Sequence, residues 1–163
     1  MSSTDVGGTS STATAEVSTI DMGLEVVTVP VSDVERAKRF YQSLGWRKDV
    51  DLVLGEGVRL VQMTPPHSQC SIHFGEGVPG IDAMQPGSLQ RVYLAVKDID
   101  AARADLLSRG IDVSEVEEQP KPPGLPDVPG RSYFAYASFS DPDGNGWVLQ
   151  EVTTRLPGRE WDD

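Results

Sequence analysis

The chain has one cysteine, Cys70, two histidines, His67 and His73, and no long apolar run. A single cysteine excludes an intrachain disulfide and a thiolate zinc cluster. It fits a reducing compartment, and a cytoplasmic location is the expectation. No stretch approaches the roughly 20 apolar residues that a membrane helix needs, so no membrane partner is expected. Basic residues are scarce as well: 14 Lys and Arg stand against 25 Asp and Glu, for a formal net charge of −11. Phosphate backbones are held by clustered Lys and Arg, so nucleic acid is not an expected partner. The acidic balance would permit a cationic ligand, although solubility is the simpler account of it. Residues 1–21 lack the basic and apolar regions of a secretory signal, and their Ser, Thr, Gly and Ala read as a disordered tail. Residues 155–163 read as a second, shorter tail. What remains, 22–154, is sized for one domain.

Within that domain the chain repeats itself. The segment from Val26, VVTVPVSDVERAKRFYQSLGW, returns from Arg91 as RVYLAVKDIDAARADLLSRGI. At a constant offset, Val31 matches Val96, Asp33 matches Asp98, Ala37 matches Ala102 and Gly45 matches Gly110. Each copy reads as a strand followed by a helix. Val26–Val31 is short and β-branched. Ser32 with Glu35 forms a capping box, with Asp33 as the competing N-cap and Asp98 its counterpart. Val34, Ala37, Tyr41 and Leu44 then recur at helical spacing, as do Ile99, Ala102 and Leu106. Gly45 and Gly110 stand where a helix ends in a left-handed residue. Three strands follow in each copy: Val50–Leu54, Val58–Met63 and Ser71–Phe74, then Asp112–Val116, Tyr133–Ser140 and Trp147–Val152. Asp141–Gly146 reads as a hairpin turn, and Gln119–Gly130, rich in proline, as a loop. The fold class is α+β, with two tandem βαβββ modules, 22–86 and 87–154.

A strand ending V-S-D, a helix holding F-Y and closing L-G, V-x-D-I-D-A-A in the second copy and F-S-D-P-D-G-N-G-W near the end together resemble the glyoxalase / bleomycin-resistance / extradiol-dioxygenase (vicinal oxygen chelate) superfamily. The resemblance covers about residues 22–154. It implies a cup-shaped mixed sheet with helices outside, and a homodimer. It does not choose among isomerases, lyases, dioxygenases and drug-sequestering proteins, because fold alone does not fix function.

The resemblance also implies four metal positions, one on the first and one on the last strand of each module. In this sequence they fall on Val26, Arg91, Val148 and, least securely because the Pro65–Gln69 turn can shift the count by one, Ile72. Valine and isoleucine carry no donor atom, and arginine stays protonated and repels a cation. The expectation is therefore no metal and no cofactor. A shifted register would offer His73 and Glu151, two ligands where three are needed. The cup is expected to be lined by Val26, Thr28, Pro30, Arg91, Tyr93, Val148 and Gln150, with Arg59, Gln62 and Ile72 as further ligand-binding candidates. Such a mostly apolar lining with a few polar groups suits a small organic molecule.

Arg91 could clamp a carboxylate or an enolate oxygen, or form a structural ion pair with Glu25 or Glu151. Tyr93 could donate to a ligand or pack on its strand, and Gln150 could orient an amide or stay solvated. His73 could act as a base, although no second acid or nucleophile is spaced with it. Two readings follow. The first is a metal-free protein that binds an organic ligand, as bleomycin-resistance proteins do. The second is a glyoxalase-like isomerase or lyase acting on a carbonyl metabolite, metal-independent or with a displaced metal, in which Arg91, His73 and Tyr93 are catalytic. A dioxygenase is disfavoured, since its iron ligands are missing.

Overall fold

The structure, a computed structural model, describes residue 16 and residues 18–155. Most of the two expected tails lies outside the described residues. The elements are β1 (Val26–Thr28), α1 (Val34–Ser43), β2 (Arg47–Gly55), β3 (Val58–Thr64), β4 (Ser71–Glu76), β5 (Val92–Val96), α2 (Ile99–Ser108), β6 (Glu117–Glu118), β7 (Ala135–Ser140) and β8 (Gly146–Glu151). The tandem βαβββ modules and the α+β class are present. Their strands form two four-stranded sheets, ordered β1-β4-β3-β2 and β5-β8-β7-β6, and no strand of one pairs with a strand of the other.

The repeat is accurate at the helix ends. Asp33 and Asp98 are the N-caps, accepting from the backbone N–H of Arg36 and Ala101. Each satisfies a donor that the helix leaves unpaired. Ser32 is not part of a capping box; its hydroxyl donates to Asp143, 2.5 Å away. Gly45 and Gly110 take φ of +81° and +80°, a conformation costly for any residue with a Cβ. The expected strand Asp112–Val116 is corrected: only Glu117 and Glu118 pair with β7, and upstream of them Ser114 makes a single backbone bond to Ser138. Ile111 and Val113 are nevertheless buried. The segment packs by its apolar side without joining the ladder.

Strand alternation divides each sheet into two unlike faces. One face carries Val61, Met63, Ile72 and Phe74 in the first sheet, and Ala137, Phe139, Trp147 and Leu149 in the second. These residues join Val34, Ala37 and Tyr41 of α1 and Ile99 and Leu106 of α2 in one continuous core. Tyr41 stacks on Trp46 at 5.1 Å and meets Trp147 edge-on at 5.9 Å, so the two modules share their helix-side faces. The other face of each sheet is turned away from this core and left bare.

The turn Asp141–Gly146 clasps the two modules. Asp141 is buried and accepts from the Tyr41 hydroxyl at 2.8 Å, from Asn145 Nδ2 at 2.7 Å and from two backbone amides. Asn145 also donates to the Pro30 carbonyl and accepts from the Leu89 N–H. Asp143 receives Ser32 and Arg36 from the start of α1. Burial works against the Asp143 charge, but those donors hold its carboxyl below the usual range. The linker passes so close that a Cβ on Gly87 would lie 2.1 Å from the Asp143 carbonyl.

Candidate functional site

The bare face of the second sheet carries one group of candidate residues. Outward positions are Tyr93 on β5, Tyr136 and Ser138 on β7, and Val148 and Gln150 on β8. Pairing sets Tyr93 beside Val148, Ser138 beside Val148 and Tyr136 beside Gln150. Arg91, one residue before β5, lies over the Tyr93 ring with its guanidinium carbon 5.6 Å from the centroid and donates from Nη2 to the Tyr93 hydroxyl. The Tyr93 and Tyr136 rings meet edge-on, 6.4 Å between centroids. The Tyr136 hydroxyl donates to the Tyr133 carbonyl, which also accepts from Gln150 Nε2 at 3.0 Å.

Two features mark this face beyond its composition. Arg91 and Tyr133 hold φ of +60° and +69°, in a region that bulky residues avoid and that concentrates at functional positions. A cavity of about 350 Å³ is lined by Arg91, Tyr93, Tyr136, Val148, Glu117 and Gln119 among others. It shares Arg91, Ser114, Ser138 and Val148 with a larger hollow of about 680 Å³, which reaches Phe40 and Asp112. Tyr93 is 43% exposed, so the face is open rather than enclosed.

The bare face of the first sheet carries Val26, Thr28, Leu60, Gln62 and His73. Thr28 and His73 are opposite each other in the register and share a hydrogen bond of 2.6 Å. Burial pushes the His73 imidazole below its ordinary value. Gln62 sits across from His73 on β3. Toward the hairpin tip the face becomes apolar and exposed, with Leu52 at 48% and Leu54 at 62%. His67, expected exposed in its turn, takes φ of +59° there.

Three expected cup positions are corrected. Ile72 is buried in the core at 4% exposure, because it alternates with His73. The pairing of β4 with β1 makes His73, opposite Thr28, the counterpart of Val148, opposite Tyr93. Arg59 faces the helix side, where it binds Asp51 at 2.9 Å and Glu35 at 2.9 Å. It sits three residues from Gln62, and an odd separation on a strand puts two side chains on opposite faces. Pro30 is fully buried in the clasp, its carbonyl accepting from Gly87 and Asn145. Glu151, the other ligand that a shifted register would offer, is also on the core side. Its carboxylate is held by Arg131 and by the Ile99 N–H. Among the described residues, no group of three or more His, Cys, Asp or Glu could hold a metal ion. Cys70 is half-buried and burial raises its thiol pKa.

Sequence reasoning missed Tyr136 and Ser138. The signal was there: they alternate with the buried Ala135, Ala137 and Phe139. Arg91, Tyr93, Val148 and Gln150 do share one face. Val26, Thr28, Gln62 and His73 share the other, which belongs to a separate sheet.

Two modules of this topology, with first-strand and last-strand residues converging on a bare sheet face, define a vicinal oxygen chelate protein. Residues 23–149 match the model of the Glyoxalase/Bleomycin resistance protein/Dioxygenase superfamily, and the chain belongs to that family. It is similar to TnmS3, an antibiotic binding protein from Streptomyces sp. CB03234, with 34% identity over 81% of this chain and 97% of that one and a TM-score of 0.60. A glyoxalase/bleomycin resistance protein from the same strain is 33% identical over 78% and 99% of the two chains, with a TM-score of 0.58. A superfamily member from Sphaerobacter thermophilus DSM 20745 is 31% identical over 80% and 98%, with a TM-score of 0.61. A search of curated proteins finds no match. Among the described residues no helix is long and apolar enough to cross a membrane.

Proposed function

We propose that this chain is a metal-free small-molecule-binding protein that holds an organic ligand against the bare face of its second sheet. The observation that carries the reading is the chemistry at the repeat-related metal positions. Val26 and Val148 offer no donor atom and Arg91 offers only positive charge, while His73 alone could ligate. One imidazole does not make a site for iron, nickel or zinc. Arg91 and Val148 instead border an aromatic, partly polar hollow, the usual make-up of an organic-ligand pocket. Similarity to an antibiotic binding protein supports the same direction.

The ligand face is half of an enclosure. Leu52 and Leu54 are exposed on the first-sheet face and Tyr93 on the second, and covering them would remove apolar surface from water. We assign it to a second copy of the chain, whose first-sheet face would cover the second-sheet face and bring Thr28, Gln62 and His73 opposite Arg91 and Tyr93. A homodimer is therefore part of the proposal, and a cytoplasmic location joins it on the ground of the single cysteine.

The test is native mass spectrometry of protein purified without chelator, with metal analysis and organic extraction. A dimer carrying an organic molecule and no stoichiometric metal is the expected result. One equivalent of iron, nickel or zinc per chain would overturn the metal-free assignment, and a monomer would overturn the shared enclosure.

A further inference from the structure

The ligand class can be read from one unmatched charge. In this acidic chain arginines are taken up by carboxylates: Arg36 holds Asp143, Arg59 holds Asp51 and Glu35, Arg103 holds Glu115, Arg109 holds Asp105, and Arg131 holds three. Arg91 is different. Among the described residues it has no carboxylate partner, and its one hydrogen bond runs to the neutral Tyr93 hydroxyl. Glu117 lines the same hollow and Asp112 the larger one, yet neither forms an ion pair with it.

Position and backbone argue that this is not a stray surface arginine. The residue holds φ of +60°, a conformation that would suit glycine far better. It stands at the boundary of both hollows. Its guanidinium is set over the Tyr93 ring, with the Tyr136 ring standing edge-on beyond. A planar guanidinium matches two oxygens of one acid group, and among the described residues only Nη2 of Arg91 is engaged by a hydrogen bond. The tyrosines next to it offer ring faces and edges that favour another flat π-system.

We infer that the second-sheet face takes a flat aromatic anion, its acid oxygens on Arg91 and its ring against Tyr93 and Tyr136. The inference rests on the binding reading above and narrows it. The protein as a whole repels anions at a net charge of −11, so recognition must be local. Long-range attraction cannot supply it, and moderate salt should weaken binding only modestly.

Titration calorimetry with 2-naphthoate and its neutral amide, 2-naphthamide, tests this on the full chain. Wild-type protein should bind the anion about 10- to 100-fold tighter than the amide, the range that a charge-assisted hydrogen bond brings. Arg91→Gln should erase that preference chiefly by weakening the anion, and Arg91→Lys should restore part of it. Tyr93→Leu should weaken both probes together. Because Arg91 makes no ion pair among the described residues, Arg91→Gln should unfold within a few degrees of the wild-type temperature, which separates lost recognition from lost folding. Equal affinity for the two probes, or an anion preference that survives Arg91→Gln, would overturn the anion inference and leave the binding reading standing. That reading falls separately, when the purified protein carries stoichiometric metal. Absence of binding by both probes would also overturn the inference.

Discussion

The Tyr41 hydroxyl donates a 2.8 Å hydrogen bond to the buried carboxylate of Asp141, 100 residues away and in the other module. Burial pushes the Tyr41 phenol well above its usual range, and the Asp141 charge pushes it further. The same hydroxyl accepts from Trp147 Nε1 at 3.2 Å. One phenol thus joins α1, the D-P-D-G-N-G turn and β8.

Removing that phenol should weaken the two modules together. Tyr41→Phe leaves Asp141 and the Trp147 N–H each short of one partner, an expected loss of about 1–3 kcal/mol. Asp141→Ala deprives four donors at once and should cost more, about 3 kcal/mol or above. Urea unfolding followed by tryptophan fluorescence and by circular dichroism should give coincident single transitions with lower midpoints and an unchanged slope. Two separated transitions would show that the clasp does not make the modules one cooperative unit.

Acid should act on the first sheet through His73. Its folded pKa lies below the unfolded value of about 6.5, because burial disfavours the imidazolium. As pH falls below about 6.5 the unfolded chain takes up this proton first, so stability declines; above that range His73 has no effect. The urea midpoint should drop between pH 7.5 and pH 5.0, and His73→Gln should reduce the drop. An equal drop in the variant would remove His73 from the account.

A second acid transition belongs to Asp51. Hydrogen bonds from Arg59 and Lys38 hold its carboxyl well below the usual carboxylate range. That stability is present above about pH 4 and is lost as pH falls through the lower, folded value. Asp51→Asn should cost about 1–3 kcal/mol at pH 7, with the difference from wild type shrinking below pH 4. A constant difference across that range would refute the ion-pair origin.

Arg131 closes the neck of the proline-rich loop. It binds Glu118 at 3.2 Å on one side of the loop and reaches the buried Glu151 at 3.0 Å and Asp100 at the start of α2. Among the described residues, Arg131→Gln leaves the Glu151 carboxylate with the Ile99 N–H and should cost about 2–4 kcal/mol. Hydrogen exchange should accelerate in residues 119–130 and at the start of α2, and stay unchanged in β2 and β3. Uniform acceleration would point to global loosening instead.

Much of the fold was legible because the chain states it twice. Asp33 and Asp98, Gly45 and Gly110 are fixed by local rules, and a constant offset sets Val26 against Arg91. Legibility failed where the copies differ in length. Between β5 and β8 the second module carries the loop 119–130, so last-strand positions no longer keep the first-strand offset. Ile72 was chosen where alternation puts His73. Arg59 failed for a simpler reason, since it and Gln62 lie an odd number of residues apart on one strand. The role of Asp141–Gly146 was hidden entirely. The turn chemistry is visible in the sequence, but its grip on Pro30, Ser32 and Tyr41 is a tertiary matter.

Both bare faces point away from the shared core, and they are unlike. If each covers the other's counterpart, two copies satisfy all four faces at once and close, whereas an offset contact would leave ends free and grow into a row. Closure has a genetic signature. A chain crippled on its first-sheet face and a chain crippled on its second-sheet face would then each be inert alone. Mixed in equal amounts, they would form heterodimers in which both damaged faces meet in one enclosure and the other is whole, so two dead proteins would restore about a quarter of the binding capacity by random exchange.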